Sequence, residues 1–266
     1  MLFPEGSSLV VRLSDALKLS LDTLRQMSVN AIEEFEPYRD SIRALQRQAK
    51  AALAAGTEIA AAELSKIPTE VSQQAVVTQM RIHGQSLTAI LMCCFTLEAY
   101  INALAHYLLS EHDVLGLIRD GHRTSADVLF EAIERMSVRD KWGTVARLGK
   151  SSGFDRSRSP WQEFDVLFKF RDDHVHDKVT PYSADRAAKR YHNRFPDPLG
   201  GCLDLGHALF ASMTYWSMVL HVHDLVGVPK ETFHRHYNLM PWLHPDALRE
   251  MREVEERYRS CMQPKP

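Results

Sequence analysis

Apolar residues recur at intervals of three and four along almost the whole chain, and clean alternation bounded by turn residues is nearly absent. The pattern predicts an all-α protein. A first helix is expected from Ser14 to about Phe35, where Pro37 breaks it, and a second ends in the Ala-rich stretch before Gly56. A shorter helix follows over Thr57–Lys66. Pro68 stands at a start position and opens a periodic segment that can run to about Leu109, interrupted only by Gly84, which makes it the longest helix. Past a loop around His112–His122, Thr124 can cap a helix to Met136. Ser137 with Asp140 then forms a capping pair for a helix ending at Gly149. Ser159, Pro160 and Gln162 supply a cap, a proline at the first helical position and a capping-box partner, and so start a helix that carries Trp161 to about Lys178. A Pro- and Gly-containing region, Thr180–Gly201, precedes an apolar helix over Asp204–Val226, and a charged helix over Pro245–Cys261 closes the chain. There is no internal repeat; the string HVHD occurs at His174 and again at His221 with unrelated flanks.

Two of these helices carry a charge inside an apolar stripe. At about 100° per residue, Trp161, Phe164, Leu167, Phe168 and Val175 share one side of their helix, and Arg171 falls within about 20 to 40° of the centre of that side. On the long helix Leu87, Leu91, Cys94, Ile101 and Ala105 form a comparable stripe, with Glu98 in its middle and Asn102 at its edge. A lone buried charge costs several kcal/mol, so the economical arrangement packs the two helices together and lets Glu98 meet Arg171. Such a pair either fixes packing register or orients Arg171 at a cleft. His176 lies on one flank of the Arg171 stripe, four residues after Asp172, and His174 on the other.

Composition narrows the function classes. With 266 residues, 45% hydrophobic and 25% charged, the chain has the profile of an ordinary folded protein, large enough to bury a core without a metal or disulfides as staples. Basic and acidic residues number 32 and 34, so any polyanion site must be local. One such region exists: Arg147–Arg194 holds 11 Lys and Arg against 7 Asp and Glu, a balance of +4, and Arg186, Arg190 and Arg194 recur every four residues beside Lys189. The four cysteines, Cys93, Cys94, Cys202 and Cys261, fit neither a disulfide framework nor zinc spacing, which points to a reducing compartment. Pro4 and Glu5 stand where a secretory signal needs a basic and then an apolar stretch, and the uncharged runs Gln85–Leu97 and Ala208–Leu220 stop short of the roughly 20 residues a bilayer requires. A cytoplasmic protein with no membrane partner is expected.

The string Phe170-Arg171-Asp172-Asp173-His174-Val175-His176 resembles the R-x4-H motif of the HEPN superfamily, small all-α domains of prokaryotic toxins, antiphage defence proteins and RNA-processing enzymes. Phe95-Thr96-Leu97-Glu98-Ala99-Tyr100-Ile101-Asn102 is similar to the first core helix of such domains, with an acidic residue and an asparagine one turn apart. The segment with Asp140-Lys141-Trp142 resembles their second-helix region. The resemblance covers about residues 85 to 226. It implies a HEPN-like helical core over 85–228, an N-terminal helical extension over 1–84 and a C-terminal extension with one helix over 229–266. It also implies that Arg171 and His176 are the catalytic pair, Asp172 the polar neighbour and Glu98 the acidic helper with Asn102 beside it, while His174 is a spare histidine able to substitute or compete. Toxins paired with nucleotidyltransferase antitoxins add a tyrosine two residues after the histidine; Lys178 stands there instead, which sets this chain apart from that branch.

The activity implied is metal-independent RNA cleavage, with no cofactor. RNA carries its own nucleophile in the 2′-hydroxyl, so cleavage needs a proton acceptor, a proton donor and a cation on the phosphorane. A histidine near pKa about 6.5 and an arginine fork supply these. One Arg and one His make half of that machinery, so a homodimer that joins two motifs in one cleft is expected, with an antitoxin or defence-system protein as a further partner. Lys178, Arg186, Lys189, Arg190 and Arg194 are the candidate RNA contacts. Two alternatives stay open: a noncatalytic HEPN-like module that binds nucleotide or RNA or holds a dimer, and a metal site drawn from His174, His176, His221, His223, Asp177 or Asp224. Residues two apart on a helix point about 200° apart, which makes an HxH pair a poor chelate there.

Overall fold

In the computed structural model, residues 5–55, 69–111, 131–148, 153–175, 202–236 and 245–262 are described. Among them the protein is all α-helical: α1 (Glu5–Phe35), a 3-10 turn (Glu36–Tyr38), α2 (Arg39–Ala55), α3 (Thr69–Glu111), α4 (Val138–Leu148), α5 (Trp161–Val175), α6 (Leu205–Val226), α7 (Lys230–His236) and α8 (Pro245–Met262). The expected helix over Thr57–Lys66 lies outside the described residues; of the one expected over Thr124–Met136, residues 131–134 are helical and the part before them lies outside.

Local chemistry accounts for the helix ends. Pro37 sits in the 3-10 turn that separates α1 from α2, where its missing N–H removes a donor the helix would need. At α4 the Ser137 hydroxyl accepts the Asp140 N–H at 3.2 Å and donates to the Asp140 carboxylate at 2.7 Å, so the anticipated capping pair forms. Asp204 caps α6, its carboxylate taking the Gly206 N–H at 3.0 Å. At α5 the start differs from expectation. The Pro160 carbonyl accepts the Phe164 N–H at 3.1 Å, which puts Pro160 in the capping place and leaves Ser159 outside the helix. The preceding turn already closes on its own acid, Asp155, which takes the Ser157 N–H at 2.9 Å and the Ser157 hydroxyl at 2.6 Å.

The chain divides into two compact units. The first comprises residues 1–18, 90–195 and 211–243. Its core is built from α3 (Ile90, Cys93, Cys94, Leu97, Ile101, Leu104), α4 (Trp142, Val145), α5 (Phe164, Leu167, Phe168) and α6 (Met218, Val219, Val222), all buried. Trp142, Phe164, Phe168 and Trp161 meet edge-on or tilted, with ring centroids 4.7 to 5.7 Å apart along the series Phe168–Phe164–Trp142 and Phe164–Trp161. The second unit comprises residues 19–89, 196–210 and 244–266. There Leu21, Leu24, Ile32 and Phe35 of α1 are buried together with Ile82 of α3 and Met251, Val254 and Tyr258 of α8. Buried Asp204 bonds His207 Nδ1 at 2.7 Å and Arg259 at 3.0 and 3.1 Å; burial opposes its charge, but these partners hold its carboxyl below the usual range.

By length and composition, the stretch Gln73–Leu109 of α3 could cross a membrane, but 61% of its most apolar window is buried inside the protein. A core helix has this character as well.

The first unit also holds a hydrogen-bonded chain that no sequence pattern announces. The His223 Nδ1–H donates to the Val228 carbonyl at 2.9 Å, so Nε2 keeps its lone pair and accepts the buried Tyr100 hydroxyl at 2.7 Å. The Tyr100 oxygen in turn accepts His234 Nε2–H of α7 at 3.0 Å. Burial pushes both imidazoles down: His234 to about 4, with further help from His223 and Lys230 against Glu231, and His223 with help from Lys230 against the Val228 carbonyl, Glu231 and Asp224. Since unfolded histidines titrate near pKa about 6.5, the unfolded chain takes up protons that the folded one refuses as pH falls below that value. The melting temperature therefore drops between about pH 6.5 and about pH 4, and thermal scans across that window check it. Tyr100→Phe orphans the His223 lone pair and lowers stability by about 1 to 3 kcal/mol in urea titration at neutral pH.

Candidate functional site

The site lies within the first unit, where α3, α4 and α5 meet. Glu98 projects from α3 at a position flanked by buried Cys94, Leu97 and Ile101. Arg171 comes from α5, one turn beyond buried Leu167 and Phe168, and its guanidinium lies 4.8 Å from the centre of the Phe168 ring. The two charges meet: Arg171 Nη1 is 3.5 Å from Glu98 Oε2. The arginine side chain is 19% exposed and the glutamate 35%, so the pair sits at the rim of the core rather than in open solvent.

Sequence reasoning did not place Lys141 in this cluster. It stands on α4 among Val138, Trp142 and Val145, is 3% exposed, and reaches Glu98 Oε1 with its ammonium at 3.5 Å. Glu98 is thus shared between a buried ammonium and a half-buried guanidinium. Asp172 grips the other edge of Arg171, accepting from Nε at 3.1 Å and Nη2 at 2.8 Å. Arg139 lies 3.6 Å from Asp172 and donates to Asp165 at 2.6 Å, and Lys169 approaches Asp165 at 2.8 Å. Charges alternate along the series Lys141, Glu98, Arg171, Asp172, Arg139, Asp165, Lys169, so each carboxylate lies between two cations. For Asp165 burial opposes ionisation, but Lys169 and Arg139 hold its carboxyl below the usual range.

Three of the five guanidinium N–H groups of Arg171 are used, by Asp172 twice and Glu98 once. One N–H on each terminal nitrogen has no partner among the described residues. That free fork suits two oxygens of one phosphate.

The remaining sequence-predicted residues fall as follows. Asn102 is one turn past Glu98, and its buried Oδ1 has no hydrogen-bond partner among the described residues. The His174 Nδ1–H donates to the Phe170 carbonyl at 2.8 Å and the ring stacks on Phe170, centroids 3.9 Å apart, which turns this histidine along its own helix. His176, Lys178, Arg186, Lys189, Arg190 and Arg194 lie outside the described residues. Of the histidines weighed for a metal, His221 rests against Phe154 at 5.2 Å between ring centroids and His223 belongs to the Tyr100 chain. No group of three metal-ligating side chains occurs among the described residues.

Two other features bear on the chemistry. Cys94 lies close enough to Arg171, Asp172 and Glu98 to feel their charges, but burial pushes its thiol up to about 12, so it offers no thiolate at neutral pH. In the second unit, a groove of about 740 Å³ is lined by Glu33, Glu36, Glu253 and Glu256 with Arg39 and Arg257. Its surplus of carboxylates disfavours a polyanion.

No protein-family model, no curated protein and no solved structure matches this chain.

The shared carboxylate makes an asymmetric prediction. Glu98→Leu leaves the Lys141 ammonium buried without its anion and costs about 3 kcal/mol or more, whereas Lys141→Met removes the buried charge itself and costs less. Adding Lys141→Met to Glu98→Leu recovers part of the loss, and a double-mutant cycle by urea denaturation reads this out.

Proposed function

We propose that this protein is a metal-independent endoribonuclease of HEPN type with a HEPN-like helical core. In this reading Arg171 binds the scissile phosphate, His176 exchanges the proton, and two protomers complete the site. The observation that carries the reading is the setting of Arg171: a guanidinium on an apolar helix face, clamped by Glu98 and Asp172, with one N–H on each terminal nitrogen left over. A fixed fork of that kind stabilises charge developing on phosphate oxygens without having to reorganise. Asp172 and Glu98 orient the arginine, and Lys141 stabilises Glu98 from below. Asn102 brings a buried amide oxygen one turn away. The R-x4-H string that begins at Arg171 supplies the histidine, and the basic balance of Arg147–Arg194 supports an RNA substrate.

The chemistry follows from the nucleophile that RNA already holds. His176 removes the 2′-hydroxyl proton, the oxygen attacks phosphorus, Arg171 compensates the phosphorane charge, and the partner protomer's copy of the histidine protonates the departing 5′-oxygen. Products are a 2′,3′-cyclic phosphate and a 5′-hydroxyl. A cytoplasmic toxin or antiphage role with a cognate protein partner accords with this reading.

A noncatalytic nucleotide- or RNA-binding or dimerising module is the second reading, and one observation favours it. Lys141 is 3% exposed and the three carboxylates already sit between cations, as a network that only fixes helix packing would be arranged.

An RNA cleavage assay with EDTA present separates the two. The wild type cleaves to a cyclic-phosphate end, and Arg171→Ala and His176→Ala each lose about 100-fold or more while remaining folded by circular dichroism. Equal degradation by all three proteins, or by none, overturns the ribonuclease reading.

A further inference from the structure

The turn before α5 places a second guanidinium in a built seat. Arg156 lies with its guanidinium carbon 4.9 Å from the centre of the Trp161 ring. Its Nη2 rests on Gly143 of α4, where a Cβ would come within 3.1 Å of it. Trp161 is itself buried and packs on Phe154 at 5.2 Å and Phe164 at 5.4 Å between centroids, so the platform beneath the arginine is rigid. The side chain is thus held over the ring by a cation–π contact and seated by the absence of a side chain at residue 143, while the residue remains exposed.

No carboxylate accounts for this placement. Arg156 makes no hydrogen bond or ion pair among the described residues. The one acid of the turn, Asp155, is committed elsewhere: Ser157 takes its Oδ1, and Arg158 lies 3.3 Å from its Oδ2. A third arginine borders the turn. Arg147 crosses Gly153 so closely that a Cβ there would sit 3.2 Å from the arginine Cγ, and Gly153 adopts φ +85, a backbone region glycine enters freely. Three exposed guanidiniums against one carboxylate leave the turn with a charge of +2.

We propose that Arg156 is an RNA-backbone contact outside the Arg171 site, on a turn that also carries Arg158 and is bordered by Arg147. A cation held over an aromatic ring keeps its N–H donors for other partners, and an exposed guanidinium so held can receive phosphate oxygens with little loss of side-chain freedom. With Arg158 on the same turn and Arg147 at its border, the cations outnumber the one carboxylate, which suits a repeating phosphate backbone. The identity of the polyanion as RNA rests on the ribonuclease reading; the seat itself does not.

The test uses the full chain and a short 2′-O-methyl oligouridine, which cannot be cleaved, with binding followed by fluorescence anisotropy at several salt concentrations. Arg156→Gln weakens binding about tenfold and lowers the slope of log K against log salt by about 0.7, the value for one phosphate contact on a single strand. Arg156→Lys keeps the charge and the slope but loses the guanidinium fork, and falls between the two in affinity. In cleavage of ordinary RNA, Arg156→Gln raises KM and leaves kcat unchanged. Weakened binding with no cleavage by any protein supports the contact and sinks the ribonuclease reading. Unchanged affinity and slope in Arg156→Gln, with the wild type cleaving, overturns the contact and spares the enzyme. Absence of oligouridine binding by the wild type also overturns it.

Discussion

The carboxylate of Glu98 governs the first unit. It stands in an apolar stripe of α3 and is answered by a buried ammonium from α4 and a half-buried guanidinium from α5, each at 3.5 Å. The Lys141 ammonium left alone at its depth would cost several kcal/mol, so the three helices are tied to one relative placement by electrostatics as well as by packing. Hydrophobic burial drives their association, but burial tolerates sliding and rotation; a carboxylate shared between two cations does not.

Rotation of α3 is restrained from its other side too. Glu98 and Tyr100 are two residues apart and so project about 200° from one another. Glu98 faces Lys141 and Arg171, while the Tyr100 hydroxyl is held between His223 and His234 at 2.7 and 3.0 Å. A turn of the helix that improved one set would break the other. The short helix α7, only Lys230–His236, gains its anchorage through this contact and through Phe233, whose ring lies 5.1 Å from that of Tyr100. Seven residues do not hold a helix by themselves.

Much of this was legible in the sequence because it is written in periodicity and punctuation. The span of α3 followed from Pro68 and the apolar repeat, the break after Phe35 from Pro37, and the start of α6 from Asp204. The Glu98–Arg171 contact was legible for the same reason, since a charge at a core-facing position demands a partner. Lys141 carries an identical signal: Val138, Lys141, Trp142 and Val145 share one face of α4, and the stripe test applied there would have found it. Other features carry no local mark. Helix α7 has one buried apolar residue, Phe233, and hence no period to detect. His223 and His234 sit on different helices, and Tyr100, more than 100 residues away in the chain, bonds to both. The shift at α5 arose because Asp155, rather than Ser159, organises the turn that leads into the helix.

The arginine environments differ in how far carboxylates occupy their donors. Arg139 is consumed by Asp165 and Asp172, and Arg259 by Asp204 and Glu255. Arg171 is different in degree: its Nε edge is closed by Asp172, but Glu98 stands at 3.5 Å, a long contact for a charged pair, and each terminal nitrogen retains an N–H. A guanidinium needed only to neutralise Glu98 would gain most from a short two-pronged contact with it. Lys141 shares the same carboxylate at the same 3.5 Å, and Glu98 takes only one of the five N–H groups of the arginine. The buried ammonium thus shares with the outer guanidinium the task of balancing Glu98, and two guanidinium N–H groups stay without a partner among the described residues.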